Sequence, residues 1–105
     1  MFARHVSMRL RADSVIEFAR VIEAEVIPLL HKQEGFLDQI ILLSQESAEA
    51  IVITFWDRKE SEEAFNRTRD PKILRSLLEV IEGSPKIARF EVVTPVLRST
   101  AAEKG

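Results

Sequence analysis

Cysteine and tyrosine are both missing from this chain, histidine occurs twice, and glycine occurs three times. Without cysteine there are no disulfides, thiolate nucleophiles or thiolate metal sites, and two histidines cannot build an all-histidine zinc site. The glycines stand at positions 35, 83 and 105, too far apart for a glycine-rich phosphate or dinucleotide loop or for a nucleophile elbow. Neither sign of charge dominates: 15 basic and 17 acidic residues leave a formal charge of −2. Nothing in this balance draws the chain to nucleic acid or to an anionic membrane. No apolar run approaches membrane-spanning length, and MFARHVSMRLRAD lacks the apolar core of a signal peptide, so a cytoplasmic protein is expected.

What is present suits a single soluble domain. The chain has 105 residues, 46 % hydrophobic and 30 % charged, enough to bury a core without covalent staples. FARHVSMRL (2–10) alternates, with Val6, Met8 and Leu10 on one face and His5, Ser7 and Arg9 on the other, and is expected as a first strand. Ser14 followed by Glu17 has the spacing of a capping box, and the stripe Val15, Phe18, Ala19, Ile22 and Val26 predicts a helix that kinks or stops near Ile27 because of Pro28. DQIILLSQ (38–45) and AIVITFW (50–56), joined by a short polar turn, read as a hairpin. Ser61 is expected to cap the next helix, and Asp70–Pro71 a further helical start. Leu74, Leu77, Leu78 and Ile81 continue at helical spacing until Gly83 and Pro85. KIARFEVVTPVL (86–97) supplies the last strand. Residues 1–98 thus form one domain, and 99–105 a loose tail.

The order βαββαβ predicts an α+β, ferredoxin-like domain: a four-stranded antiparallel sheet with two helices on one face. Such a sheet should alternate apolar and polar residues. IILL (40–43) and AIVITFW (50–56) are instead apolar on both faces. A second copy packed face to face would cover the exposed side, so a homodimer through the sheet is expected.

The element order, EGFLD (34–38), ITFWDRKESEEAFNR (53–67) and PKILRSLLEVIEGSPKIARFEV (71–92) together resemble the antibiotic biosynthesis monooxygenase family of dimeric α+β barrels, over roughly Phe2 to Leu97. The resemblance implies a small pocket between sheet and helices. Characterised relatives include cofactor-independent oxygenases of aromatic or quinone-like compounds, haem-degrading enzymes and small isomerases, so the resemblance implies an enzyme for a small apolar or aromatic compound, with a monooxygenase that needs no cofactor or metal as the first expectation. The alternative is a dimeric binding domain with no chemistry of its own. Haem-degrading relatives carry an asparagine on strand one and tryptophan and histidine in the second helical region. Here the asparagine is Asn66, the tryptophan precedes helix two, and no histidine follows His31, so that scheme is not expected.

Phe18, Ile22, Phe65 and Leu78 would line the implied pocket, with Ser7 and Trp56 as further substrate contacts. Trp56 has two readings: a ring sealing the strand end, which the resemblance favours, or a stacking wall for a planar ligand. His5 also has two. With Ser7 and Arg9 on its strand face it could be a general base, with Arg9 or Arg89 steadying negative charge, or part of a polar network between subunits. His31, among Lys32, Gln33 and Glu34, is expected as a solvated residue at a helix end.

Overall fold

A computed structural model describes residues 1–68 and 70–94. Residues 95–97 of the expected last strand and the expected tail at 99–105 lie outside the described residues. The strands are β1 (Phe2–Leu10), β2 (Phe36–Ser44), β3 (Glu49–Trp56) and β4 (Ile81–Glu91). The helices are α1 (Val15–Val21), α2 (Ile27–His31), α3 (Lys59–Asn66) and α4 (Pro71–Val80), with a π-helical turn, Ile22–Val26, joining α1 to α2. The sheet is four-stranded and antiparallel in the order β2-β3-β1-β4, the ferredoxin-like arrangement expected from the sequence.

Local chemistry explains where the elements depart from the expected boundaries. The first helix does not stop at Pro28. The amide of Ile27 reaches the carbonyl of Ile22, five residues back, and this widened turn makes room for a proline ring that would otherwise press on the carbonyl four residues before it. Ser14 stands at the N-cap of α1 but makes no side-chain cap bond. Glu17, the other half of the expected box, is turned away by Arg20, whose Nε donates to both its oxygens at 3.1 Å. Arg58, not Ser61, occupies the N-cap of α3, and the Ser61 hydroxyl donates to Asp57 Oδ1 at 2.6 Å. That contact presses against the turn before β2. Gly35 has φ +85°, and a Cβ there would collide with Ser61 and Asp57, so the EGF turn needs glycine on both counts. Asp70 does cap α4, accepting from the amides of Lys72 and Ile73. β4 begins earlier than expected: Gly83 and Pro85 lie within it, at the exposed stretch where its pairing with β1 changes register between Ser7 and Arg9.

Strand alternation sorts the side chains. Toward the helices project Phe2, Arg4, Val6, Met8 and Leu10 of β1 and, from β3, Ala50, Val52, Thr54 and Trp56. Leu10, Ala50, Val52 and Ile81 pack with Phe18, Ile22 and Val80 in the main core, while Phe2, Leu30 and Trp56 form a second cluster. The opposite face carries Ala3, His5, Ser7 and Arg9 beside Ile51, Ile53 and Phe55, and neither core cluster includes any of them.

Candidate active site

Between the helix-facing side of the sheet and the helices lies a cavity of about 330 Å³, within the lower range of small-molecule sites. Val6, Met8 and Val52 form its floor, Ile22 and Val26 one wall, and Leu74, Leu77, Leu78 and Ile87 the opposite rim. The rim is half-open: Leu74, Leu78 and Ile87 are each close to half exposed although they face an apolar space. Helix α4 carries its leucines on one stripe: Leu77 packs against the main core, and Leu74, Leu77 and Leu78 all line the cavity. The π-helical turn contributes Ile22 and Val26, a placement common for such turns at functional sites.

One end of the cavity is polar. Arg4 and Thr54 are register partners on β1 and β3, and the Arg4 Nη2 donates to Asn66 Oδ1 of α3 at 3.2 Å. All three line the cavity, together with Asp70, whose carboxylate is engaged by the first amides of α4. Behind them Glu62 is fully buried. Arg89 Nε donates to both its oxygens at 3.1 and 2.9 Å, and Arg4 Nε approaches Oε2 at 3.4 Å. A buried carboxylate survives only when paired and hydrogen-bonded, and here two guanidiniums share the task. Arg89 itself faces a second, more open and more polar cleft of about 650 Å³, lined by Phe2, Lys59, Glu63, Arg67 and Glu91, and Asn66 borders both spaces.

Aromatic packing fixes this polar end. Trp56 is completely buried, its ring 5.2 Å from Phe65 and 5.5 Å from Phe36, and its Nε1–H donates to Thr54 Oγ1 at 2.9 Å. Phe65 in turn lies under Arg4, with 5.7 Å from guanidinium carbon to ring centroid. Trp56 is therefore a sealing ring with a polar handle, one residue behind the cavity wall.

The residues expected from the sequence are distributed unevenly over these features. Ile22, Phe65 and Leu78 line the cavity. Phe18 lies beneath it in the main core. Arg89 lies behind the polar end, paired across the sheet with Arg4, and lines the neighbouring cleft instead of the cavity. His5, Ser7 and Arg9 project from the other face of the sheet: His5 meets Phe90 edge-on at 6.4 Å, and Arg9 reaches the Ser47 carbonyl and Glu49. The structure does not bring His5 and Arg89 together, since β1 pairs His5 with Ala88 and Arg4 with Arg89. His31 stacks at 5.5 Å on Phe36 at the end of α2.

Arg4, Thr54, Glu62 and Asn66 were not singled out by the sequence pattern, although traces of each were present. Carrying the Val6, Met8, Leu10 face back by two residues puts Arg4 on an otherwise apolar surface. Glu62 and Asn66 flank Phe65 at helical spacing, on the stripe that turns inward. Among the described residues no group of three histidine or acidic side chains is arranged to hold a metal ion, and no helix is long and apolar enough to cross a membrane.

No protein-family model matches the sequence, and no curated protein does. Solved structures do match, over nearly the whole chain. A candidate antibiotic biosynthesis monooxygenase of Bordetella bronchiseptica superposes with a TM-score of 0.76 at 14 % identity, covering 89 % of this chain and 97 % of its own. A second, from Nitrosomonas europaea, gives 0.75 at 12 % identity and covers 90 % and 100 %. SnoaB of Streptomyces nogalater, a cofactor-independent oxygenase, gives 0.74 at 13 % identity and covers 90 % and 95 %. This is the antibiotic biosynthesis monooxygenase fold. Identities this low carry the architecture and not the chemistry, which has to be argued from the cavity itself.

Proposed function

We propose that this protein is a small-molecule enzyme that binds an aromatic or quinone-like compound in the helix–sheet cavity and oxidises it with molecular oxygen, without a cofactor. The observation that supports this reading is the open apolar cavity with one polar end, in a fold shared with a cofactor-independent oxygenase. In such chemistry the ionised substrate is its own reductant. It passes electrons to O2, one oxygen atom replaces two hydrogens on a ring carbon as a carbonyl, and the other leaves as water. The protein supplies a dry space, orientation, and groups that favour the ionised form. Arg4, Thr54 and Asn66 are placed for that last task, and Asp70 is the carboxylate on the cavity wall available to take a proton.

In the same reading the chain works as a homodimer, the outer face of one sheet packed on that of a second copy. That face exposes Ile40, Leu42 and Phe90 by 37 to 54 %, alongside Ile51, Ile53 and Phe55, an apolar area unusual for a solvated surface. His5, Ser7 and Arg9 then belong to the contact between subunits.

Oxygen uptake with a panel of hydroxylated aromatics and hydroquinones tests the proposal, comparing wild type with Leu78→Trp, which narrows the rim. Uptake by wild type that falls at least tenfold in the variant is expected. Binding without uptake on any panel member would assign the cavity to ligand binding alone.

A further inference from the structure

The cavity and the neighbouring cleft meet at one side chain, and their linings are opposite in kind. Asn66 is the residue common to both. Toward the cavity the walls are mostly apolar, Val6, Ile22, Val52 and Leu77 among them. Toward the cleft they carry charges of both signs: Lys59 is paired with Glu63 at 3.9 Å, Arg89 with the buried Glu62 at 2.9 Å, and Arg67 and Glu91 stand beside them. At the junction the Arg4 guanidinium donates to the Asn66 carbonyl oxygen at 3.2 Å. Asn66 is half-buried and is the last residue of α3, and the contact of Arg4 with Glu62 does not depend on it.

From this we infer that cavity and cleft are two halves of one site, and that its ligand is an aromatic body carrying an uncharged, polyhydroxylated arm such as a sugar. The ring lies in the cavity, and the arm passes Asn66 into the cleft. Turning that one side chain joins the two spaces, and a ligand hydroxyl replaces the hydrogen bond that is given up. The inference rests on the cavity being the ligand site and adds a second subsite and the ligand's direction. Size supports it: about 330 Å³ is near the lower limit for small-molecule sites, and the adjoining cleft offers about 650 Å³ more. Polarity supports it as well. An ionised arm would be drawn to one sign of charge in the cleft and repelled by the other, whereas each hydroxyl both donates and accepts and can bond to either. Reversed binding would put hydroxyls among the leucines, where they find no partners, so polarity sets the direction.

The test uses the full chain and two probes, 2-naphthyl β-D-glucoside and 2-methoxynaphthalene, the same ring without the arm, measured by calorimetry at neutral pH. The glucoside is expected to bind at least tenfold tighter. Glu63→Trp narrows the cleft from α3 and lies outside the cavity lining. It should abolish that gain and leave 2-methoxynaphthalene within about twofold. In wild type, nuclear Overhauser contacts are expected from the sugar protons to the Phe2 ring. A glucoside that binds no tighter than 2-methoxynaphthalene, a gain that survives Glu63→Trp, or sugar contacts to Leu74 and Leu78 on the rim in place of Phe2 would overturn the inference and leave the cavity reading standing. If neither probe binds, the cavity reading fails, and the inference with it.

Discussion

The two faces of the sheet are built from the same strands, one residue out of phase, and they handle polar side chains in opposite ways. On the helix-facing side Arg4, Thr54 and Arg89 are each tied to a named partner, and the apolar residues around them either pack in the core or border a cavity. On the outer side His5, Ser7 and Arg9 stand among apolar residues that belong to neither core cluster of the described chain. A ligand site needs a concave space with fixed polar groups, which the first face has. A broad, flat, apolar surface with scattered polar groups suits association with another protein surface, and that describes the second. A histidine on the central strand is thus not by itself a sign of catalysis; its phase in the strand decides which face it serves.

The largest effect that would break this division is expected at Trp56. Trp56→Ala should cost about 3 to 5 kcal/mol in chemical denaturation, as for other large-to-small changes of a fully buried aromatic ring, because Phe36 and Phe65 lose their shared packing partner. Next comes Glu62→Leu, which leaves two arginines without their carboxylate. Removing one side of a buried ion pair costs about 3 to 5 kcal/mol, and the lower end applies because Arg89 is 40 % exposed and can turn to water. On the outer face, Ile53→Lys should leave the fold and the cavity intact but weaken self-association at least a hundredfold, about 2.7 kcal/mol, in sedimentation. A wild type that is monomeric at micromolar concentration would remove the role assigned to that face.

The smallest effect is one of acid stability. The Ser61 hydroxyl holds the Asp57 carboxyl below its ordinary aspartate range, helped by the backbone amide of Arg58, against a smaller opposing effect of burial. A carboxyl lowered in the folded state adds stability above the unfolded value and loses it as the pH falls through the folded one. Ser61→Ala should therefore be less stable than wild type at neutral pH, by a margin that stays level down to about pH 5 and shrinks below about pH 4. A margin that is unchanged at pH 2 would show that the hydroxyl acts through packing alone.

Much of the architecture was legible in the sequence because it depends on period and punctuation. The hairpin expected over 38–45 and 50–56 stands at 36–44 and 49–56, and it, the cap at Asp70 and the central place of β1 follow from apolar runs, turn residues and the ferredoxin-like order. Side-chain competition undid two of the expected caps: Arg20 took Glu17 from its capping box without moving the start of α1, whereas Asp57 took Ser61 and α3 begins earlier, at Lys59. The candidate site was only half legible. Ile22, Phe65 and Leu78 follow from apolar stripes, whereas the pairing of Arg4 with Asn66, 62 positions away, and of Glu62 with Arg89, 27 positions away, depends on register and helix placement. Apolar residues announce burial wherever they stand; a charged residue that will be buried looks like a surface residue until its partner is known.

In the function proposed, the helix-facing cavity, and not the outer sheet face, takes the ligand. Methyl NMR during a titration with 2-naphthol at a pH where it is ionised tests this most directly. The methyl signals of Val6, Val52, Leu77 and Leu78 are expected to shift together and saturate, while those of Ile40, Ile51 and Ile53 stay in place. Saturable shifts centred on Ile40, Ile51 and Ile53, with the cavity methyls unmoved, would contradict it.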